Sequence, residues 1–121
     1  MKQLIQWAAE LALCCAATDV RANFACQATP ADFLGIDAGG TVLTSIEGTG
    51  RIKVCNLEVE LAGIGAKTCA GWYSTLLSAH MARSQVTVYF DETNPHNAGS
   101  TSCTTLGEWV VRVPYFLEFK P

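Results

Sequence analysis

Residues 69–80, CAGWYSTLLSAH, run without a turn residue toward residues 85–90, QVTVYF, and this stretch decides the fold. The first part has helical spacing and places its larger side chains on two adjoining stripes. These stripes are Tyr73, Leu76, Leu77 and His80, and beside them Trp72, Leu76, Ala79 and Arg83. The second part alternates apolar and polar side chains, which is typical of a strand with one buried face. The stretch therefore predicts a helix followed by a strand.

Upstream of this unit, the chain has the alternation of extended structure. Residues 32–46 alternate on both sides of Gly39-Gly40, which predicts one bent strand or two short ones. Residues 51–61 alternate almost without interruption and predict a further strand. Its phase slips at Cys55-Asn56, which indicates a bulge. The side chains predicted to face water are Arg51, Lys53, Glu58 and Glu60.

Downstream of the unit, residues 91–102 are rich in Asn, Gly, Ser and Thr and predict a loop. Residues 109–119 predict a last strand, in which Pro114 must lie at an edge or a bulge because it has no backbone donor. The element order indicates an α+β, mostly β class and predicts an OB-like five-stranded Greek-key barrel with one helix between strands 3 and 4. The alternative is an open antiparallel sheet with the helix across one face.

The composition indicates one small domain, because the chain has 121 residues, of which 50% are hydrophobic and 16% charged. Residues 1–22 predict a signal peptide: Lys2 precedes an apolar run that ends at Val20-Arg21-Ala22, a small-residue cleavage site. The run is too short for a membrane anchor, which needs roughly 20 apolar residues. We therefore expect a secreted or periplasmic protein whose single disulfide-stabilised OB-like domain spans 23–121, with no stable membrane insertion.

The charge pattern argues against nucleic acid as a partner. The formal net charge is −3, and the basic side chains are scattered singly rather than clustered against phosphates. The sequence also contains no motif for a cofactor, and none is predicted.

Four cysteines follow the predicted cleavage site, which indicates two disulfides in an exported domain. They are Cys26, Cys55, Cys69 and Cys103. A helix of about 12 residues and a six-residue strand have nearly equal lengths, so the strand should return the chain to the start of the helix. This favours Cys69–Cys103 and Cys26–Cys55, with a Cys55–Cys69 link as the alternative. Zinc is not predicted, because no two of these cysteines have the close spacing of a metal knuckle.

The pattern of a cysteine, Gly71-Trp72-Tyr73, Leu76-Leu77-Ser-Ala-His80, residues 86–90 and a later Cys103 resembles small secreted bacterial OB-fold proteins. It is similar to the B subunits of subtilase-cytotoxin-type AB5 toxins. The resemblance covers about half of the predicted mature chain and implies an OB barrel, a five-membered ring and glycan binding. The sugar-binding serine of those subunits has no counterpart in residues 23–40, so no binding residue is transferred.

Several polar residues have side chains suited to catalysis or metal binding. His80 fits a general base or ligand, although a packed, hydrogen-bonded core histidine is the more common role. His96 lies near Asp91 and Glu92 and fits either a metal site or a polar turn. Two further sets are Ser78, His80 and Asp91 as a triad, and Glu58 with Glu60 as a carboxylate pair on one strand face. No elbow around a nucleophile is present, and we assign no catalytic residue and no metal ligand.

Aromatic side chains are more numerous than a barrel of this size must bury, and exposed rings stack on sugars or protein partners, although burial of most of them in the core is the more common arrangement. Trp109 and Tyr115 flank Pro114 on the predicted edge strand and are the candidate recognition residues. We therefore expect a secreted, non-enzymatic binding domain that recognises a glycan or a protein surface, alone or as a homo-oligomer. The alternatives are a small hydrolase or hydrolase inhibitor that uses His80 or His96, and a structural envelope protein whose edge strand pairs with a neighbour.

Overall fold

The structure is a computed structural model that describes residues 23–120, so the predicted signal peptide lies outside the described residues. The described part contains six strands, one α-helix and two 3-10 turns. The strands are β1 (Asn23–Ala28), β2 (Leu34–Ile36), β3 (Thr41–Ile46), β4 (Gly50–Asn56), β5 (Val86–Asp91) and β6 (Pro114–Phe119). The helix α1 is Ala66–Ala82, and the turns are Pro95–Asn97 and Cys103–Thr105. The predicted α+β, mostly β class is confirmed.

The strands pair antiparallel in one sheet, in the order β2-β3-β1-β5-β6, with β4 on the other edge of β3. There are six strands where five were predicted. The additional one is β1, whose Asn, Ala and Gln residues have little intrinsic strand preference. The segment nevertheless forms a strand, because all six of its residues pair with β5.

The segment before β6 runs alongside β4 without being a regular strand. Lys53 N donates to Val110 O at 2.9 Å, and Arg112 N donates to Lys53 O at 3.0 Å, which makes a parallel bridge between Lys53 and Val111. The predicted strand over residues 109–119 is therefore shorter, because β6 begins only at Pro114. Its proline sits at the first position, opposite a register shift at Tyr89/Phe90, as its missing donor requires.

The two upstream strand predictions have different outcomes. Residues 32–46 form two strands, and the turn between them ends at Gly40 in a left-handed conformation (φ 88°). The strand predicted over 51–61 ends at Asn56, because the Asn56 side-chain oxygen accepts hydrogen bonds from Glu58 N (2.7 Å) and Val59 N (3.0 Å) and turns the chain. The register of β3 against β4 shifts close to the predicted bulge, since Val42 pairs with Cys55 and the next residue with Lys53.

Helix α1 begins three residues before Cys69 and packs one of the two predicted stripes against the sheet. Cys69, Leu76 and Ala79 are buried, while Leu77 and His80, from the other stripe, are exposed. The helix ends at Ala82 and is capped by Arg83, which has a left-handed conformation (φ 55°). From there the chain turns into β5, whose Val86, Val88 and Phe90 are buried as the alternation predicts.

The two disulfides link Cys26 to Cys103 and Cys55 to Cys69. The favoured pairing of Cys69 with Cys103 and Cys26 with Cys55 is therefore wrong, and the alternative Cys55–Cys69 link is the observed one. The two lengths do agree, because the helix from Cys69 to Ala82 spans about 21 Å and the six residues of β5 span about 20 Å. The argument fails because α1 packs mainly against β4, β6 and β2 and does not run back along β5. Cys69 consequently lies beside the end of β4, and the loop after β5 reaches β1 instead.

Candidate functional site

Trp109 is half-exposed, at 51%, and forms a cluster with Phe33 and Arg51 on the protein surface. The Arg51 Cζ atom lies 4.1 Å from the centroid of the Phe33 ring and 5.5 Å from that of the Trp109 ring. The two rings meet edge to face, with centroids 6.4 Å apart and planes at 77°. We call these three residues the aromatic–arginine cluster.

Trp109 takes its place in this cluster with a backbone conformation that tryptophan disfavours. Its φ of 61° lies in the left-handed region, which a bulky side chain rarely adopts. Trp109 N donates to Arg51 O at 2.6 Å, and the neighbouring bond from Lys53 N to Val110 O holds the following residue against β4. These bonds stabilise a conformation that costs on the order of 1–3 kcal/mol, a kind of strain that concentrates at functional sites.

The residue before Trp109 explains why β4 begins with a glycine. The side chain of Glu108 lies directly over Gly50, so a Cβ atom there would collide with its carboxylate. Gly50 also has a φ of 123°, which other residues rarely adopt. The approach of the Glu108–Trp109 segment to the start of β4 therefore depends on a glycine beside Arg51.

The guanidinium of Arg51 has donors to offer to a ligand. Across residues 23–120, the one ion pair present joins Lys120 to Glu118, and the Arg51 side chain makes no hydrogen bond within that range. Arginine carries five N–H donors in one plane, and stacking on rings leaves the edges of that plane available. The cluster thus combines an exposed indole with a positioned set of hydrogen-bond donors.

Tyr115, the other candidate recognition residue, lies in a separate cluster. It is 51% exposed and its ring centroid lies 6.2 Å from that of Tyr89, while Phe116, also 51% exposed, lies 5.5 Å from Tyr89. Tyr89 Oη donates to Glu118 Oε1 at 3.0 Å, and this hydrogen bond is the main cause that raises the pKa of Tyr89. Tyr89, Tyr115 and Phe116 form what we call the second aromatic cluster.

The two histidines lie in different parts of the fold and each has a backbone partner. His80 Nδ1 lies 2.6 Å from Pro30 O, a hydrogen bond that connects α1 to the β1–β2 loop. This histidine is hydrogen-bonded, as expected of a structural residue, but the expectation of a core position is wrong because it is exposed. His96 is exposed in the turn Pro95–Asn97, where its carbonyl accepts from Arg112 Nη1 at 3.3 Å. Within residues 23–120 no group of three metal-ligating side chains is present.

The other sets of polar residues are not assembled either. Ser78 Oγ donates to Ser74 O, His80 bonds to Pro30, and Asp91 Oδ1 accepts from Thr93, so the three candidate triad members have different partners. Glu58 and Glu60 do not share a strand face, because β4 ends at Asn56 and both lie exposed in the following turn. The prediction that they project from one strand is wrong.

Sequence reasoning identified Trp109 but missed its two neighbours. Arg51 was assigned to the solvated side of its strand, and Phe33 was one apolar residue in an alternating segment. Nothing local in the sequence connects positions so far apart, because their contact depends on the residues 109–112 lying beside β4. Arg112 also lies near β4, but its guanidinium is engaged within the protein, because Nε donates to Leu106 O at 2.8 Å.

The strained backbone at Trp109 predicts an order of stability among variants. We expect Trp109→Gly to be more stable than Trp109→Ala by about 1 kcal/mol, because only glycine adopts a left-handed conformation without a steric cost. Denaturant unfolding of both variants measures the difference. As a control, Tyr115→Gly should be less stable than Tyr115→Ala, since Tyr115 lies in a strand. Equal stability of the two Trp109 variants would show that position 109 is not strained.

Comparison of the chain with protein-family models, curated proteins and solved structures found no match. No helix in the described range 23–120 has the length and apolar character needed to cross a membrane.

Proposed function

We propose that the protein is an exported binding domain that recognises a glycan through the aromatic–arginine cluster. The observation that carries the proposal is Trp109, an exposed indole held in a left-handed conformation beside the guanidinium of Arg51. An exposed indole and a strained backbone conformation both raise the free energy of the unbound protein. Their occurrence at the same residue supports a role of Trp109 in binding.

The chemistry of the cluster suits a sugar better than a flat apolar partner. A pyranose ring has an apolar face of C–H groups that stacks on an indole, and a rim of hydroxyl oxygens that accept hydrogen bonds. Arg51 offers N–H donors next to the exposed indole, and Phe33 limits the directions in which the guanidinium can turn. An apolar protein surface would leave those donors without acceptors, which is costly.

The strand pairing supports an OB-type barrel as the scaffold of this site. β1 and β2 lie one after the other along the same edge of β3, through Ala28 opposite Ile46 and Leu34 opposite Thr44, so the two serve as one bent strand. If β1 and β2 are counted as one strand, β4 is the third strand and β5 the fourth, so α1 lies between strands 3 and 4. The parallel bridge between β4 and the segment leading to β6 then joins the two ends of the sheet, as closure of a barrel requires.

Export is supported by the cysteines. Disulfides persist in oxidising compartments, and the four cysteines of the described region form two of them. The predicted signal peptide at 1–22 and the resemblance to secreted toxin B subunits agree with this location. Assembly into a homo-oligomer stays a prediction, which light scattering of the purified protein checks.

A glycan array followed by calorimetric titration tests the proposed function. We expect the oxidised protein to bind a subset of the immobilised glycans, and Trp109→Gly to weaken the titrated affinity at least about tenfold, since the loss of one stacking ring removes on the order of 1.4 kcal/mol. Glycine is chosen because it retains the backbone conformation at this position.

Tyr115→Ala is the matched control, because Tyr115 has the same exposure in the second aromatic cluster. It should leave the affinity within about twofold of the original. If the array shows no binding, the glycan proposal is wrong. If Tyr115→Ala weakens binding and Trp109→Gly does not, the recognition surface lies on the second cluster instead.

A further inference from the structure

The two disulfides differ in how accessible they are to a reductant. Cys55 and Cys69 are both fully buried, at 0% exposure, in the main core cluster. Cys26 is 2% exposed, whereas Cys103, its partner, is only partly buried in a short surface turn. Reduction begins when a thiolate attacks one sulfur of the bond, so the reachable sulfur decides which disulfide reacts. Because Cys103 is the one cysteine of the four that is not buried, we expect its sulfur to be the point of attack.

The partly exposed disulfide attaches to β1 a segment whose other hydrogen bonds are internal. Residues 99–105 make the hydrogen bonds of their backbone and hydroxyl groups within the segment 97–105, among them Ser100 Oγ to Thr105 O at 3.2 Å. Contact with the sheet is made at Cys103, which is bonded to Cys26 and whose Sγ lies 3.2 Å from Ala25 O. Ser100 is almost fully buried, at 1% exposure, so we call only the residues after it, 101–105, the latch loop.

Firm anchors hold the chain on both sides of the latch loop. Asn97 and Ser100, before it, are buried; Asn97 bonds to Val113, and Ser100 N donates to Asn97 O at 2.9 Å. Leu106, after it, is fully buried, and Gly107 N donates to Thr49 Oγ1 at 3.1 Å. Because these anchors do not involve sulfur, opening the disulfide frees the loop between them and leaves the adjoining structure in place.

We propose that Cys26–Cys103 is a redox-sensitive latch, which a dithiol reductant opens while Cys55–Cys69 stays closed. One thiolate of the reductant attacks Cys103 Sγ and forms a mixed disulfide, and the Cys26 sulfur leaves with the bonding electron pair and takes up a proton. The second thiol of the reductant then displaces Cys103, which leaves as a thiol. The reductant supplies two electrons and becomes a disulfide. The latch loop moves away from β1 and uncovers Cys26.

Timed reduction of the native oxidised protein with dithiothreitol tests the order of opening. Samples are acid-quenched, alkylated in denaturant and mapped by peptide mass spectrometry. We expect Cys26 and Cys103 to be reduced at least about tenfold faster than Cys55 and Cys69, because burial excludes the attacking thiolate. Equal rates, or faster reduction of Cys55–Cys69, would overturn the proposal.

Alkylation under native conditions tests the release of the loop. After selective reduction, Cys103 should react with iodoacetamide whether or not the loop moves, whereas Cys26 should react only if the loop leaves β1. We expect both to be modified while the far-ultraviolet circular dichroism retains its sheet signal. A modified Cys103 beside a protected Cys26 would show that the loop stays in place and that the disulfide is no latch. Loss of the sheet signal together with Cys26 modification would equally contradict a local opening.

Discussion

Replacing Asn97 by alanine should destabilise the protein by roughly 3 kcal/mol, although Asn97 lies in a loop. The Asn97 side chain is fully buried and pairs with the backbone of Val113 as a neighbouring strand would. Its Nδ2 donates to Val113 O at 2.9 Å and to Asp91 O at 3.2 Å, and its Oδ1 accepts from Val113 N at 2.7 Å. Alanine would leave the buried N–H and C=O of Val113 without these partners. Urea unfolding measures the loss.

Asn94→Ala is the matched control for this variant, because Asn94 is the same residue type at the start of the same 3-10 turn. Its Oδ1 accepts from His96 N at 2.9 Å in an exposed bond, so its removal should cost about 1 kcal/mol or less. An Asn97→Ala variant no less stable than Asn94→Ala would show that the Val113 pairing contributes little.

Removing the buried disulfide with Cys55→Ala and Cys69→Ala together should cost about 3 kcal/mol. The sequence separation of the pair is 14, and closing a loop of this size restricts the unfolded chain by that order in the chain-entropy description. Both residues also belong to the core, and the bond attaches the first turns of α1 to the end of β4. Urea unfolding should show a lower midpoint and a steeper dependence on denaturant, because the unfolded chain becomes more extended.

Ser78→Ala is a control on the exposed face of the same helix, where Ser78 Oγ donates to Ser74 O at 3.0 Å. Its stability should stay within about 0.5 kcal/mol of the original. A similarly small effect of the double cysteine variant would mean that helix packing, and not the disulfide, holds α1 on the sheet. Peptide mapping that linked Cys69 to Cys103 would contradict the connectivity itself.

Local sequence patterns predicted the type of most elements but not all their ends. The helical spacing around Leu76 and the alternation of Val86, Val88 and Phe90 both correspond to observed elements, since each reflects which side chains leave water. The strand over 51–61 was predicted too long because its alternation continues into the turn after Asn56. A side chain that bonds to the backbone two and three residues ahead ends the strand without interrupting the pattern.

The candidate site was predictable only in part. Trp109 and Tyr115 stood out as aromatic residues near a proline, and both are half-exposed. Their separation into two clusters, and the association of Trp109 with Arg51 and Phe33, were not predictable. Each cluster is defined by which strand lies next to which, and a single sequence carries no direct signal of that pairing.

By itself, the sequence determined the class of the fold and the number of disulfides. These properties follow from hydrophobic periodicity, which acts over a few residues, and from an even number of cysteines. Only the tertiary structure decided that Cys26 pairs with Cys103, that Asn97 serves Val113 as a strand would, and that Arg51 meets Trp109. Those contacts join positions distant in the chain, and they form because the whole sheet brings together groups that have no effect on one another's local conformation.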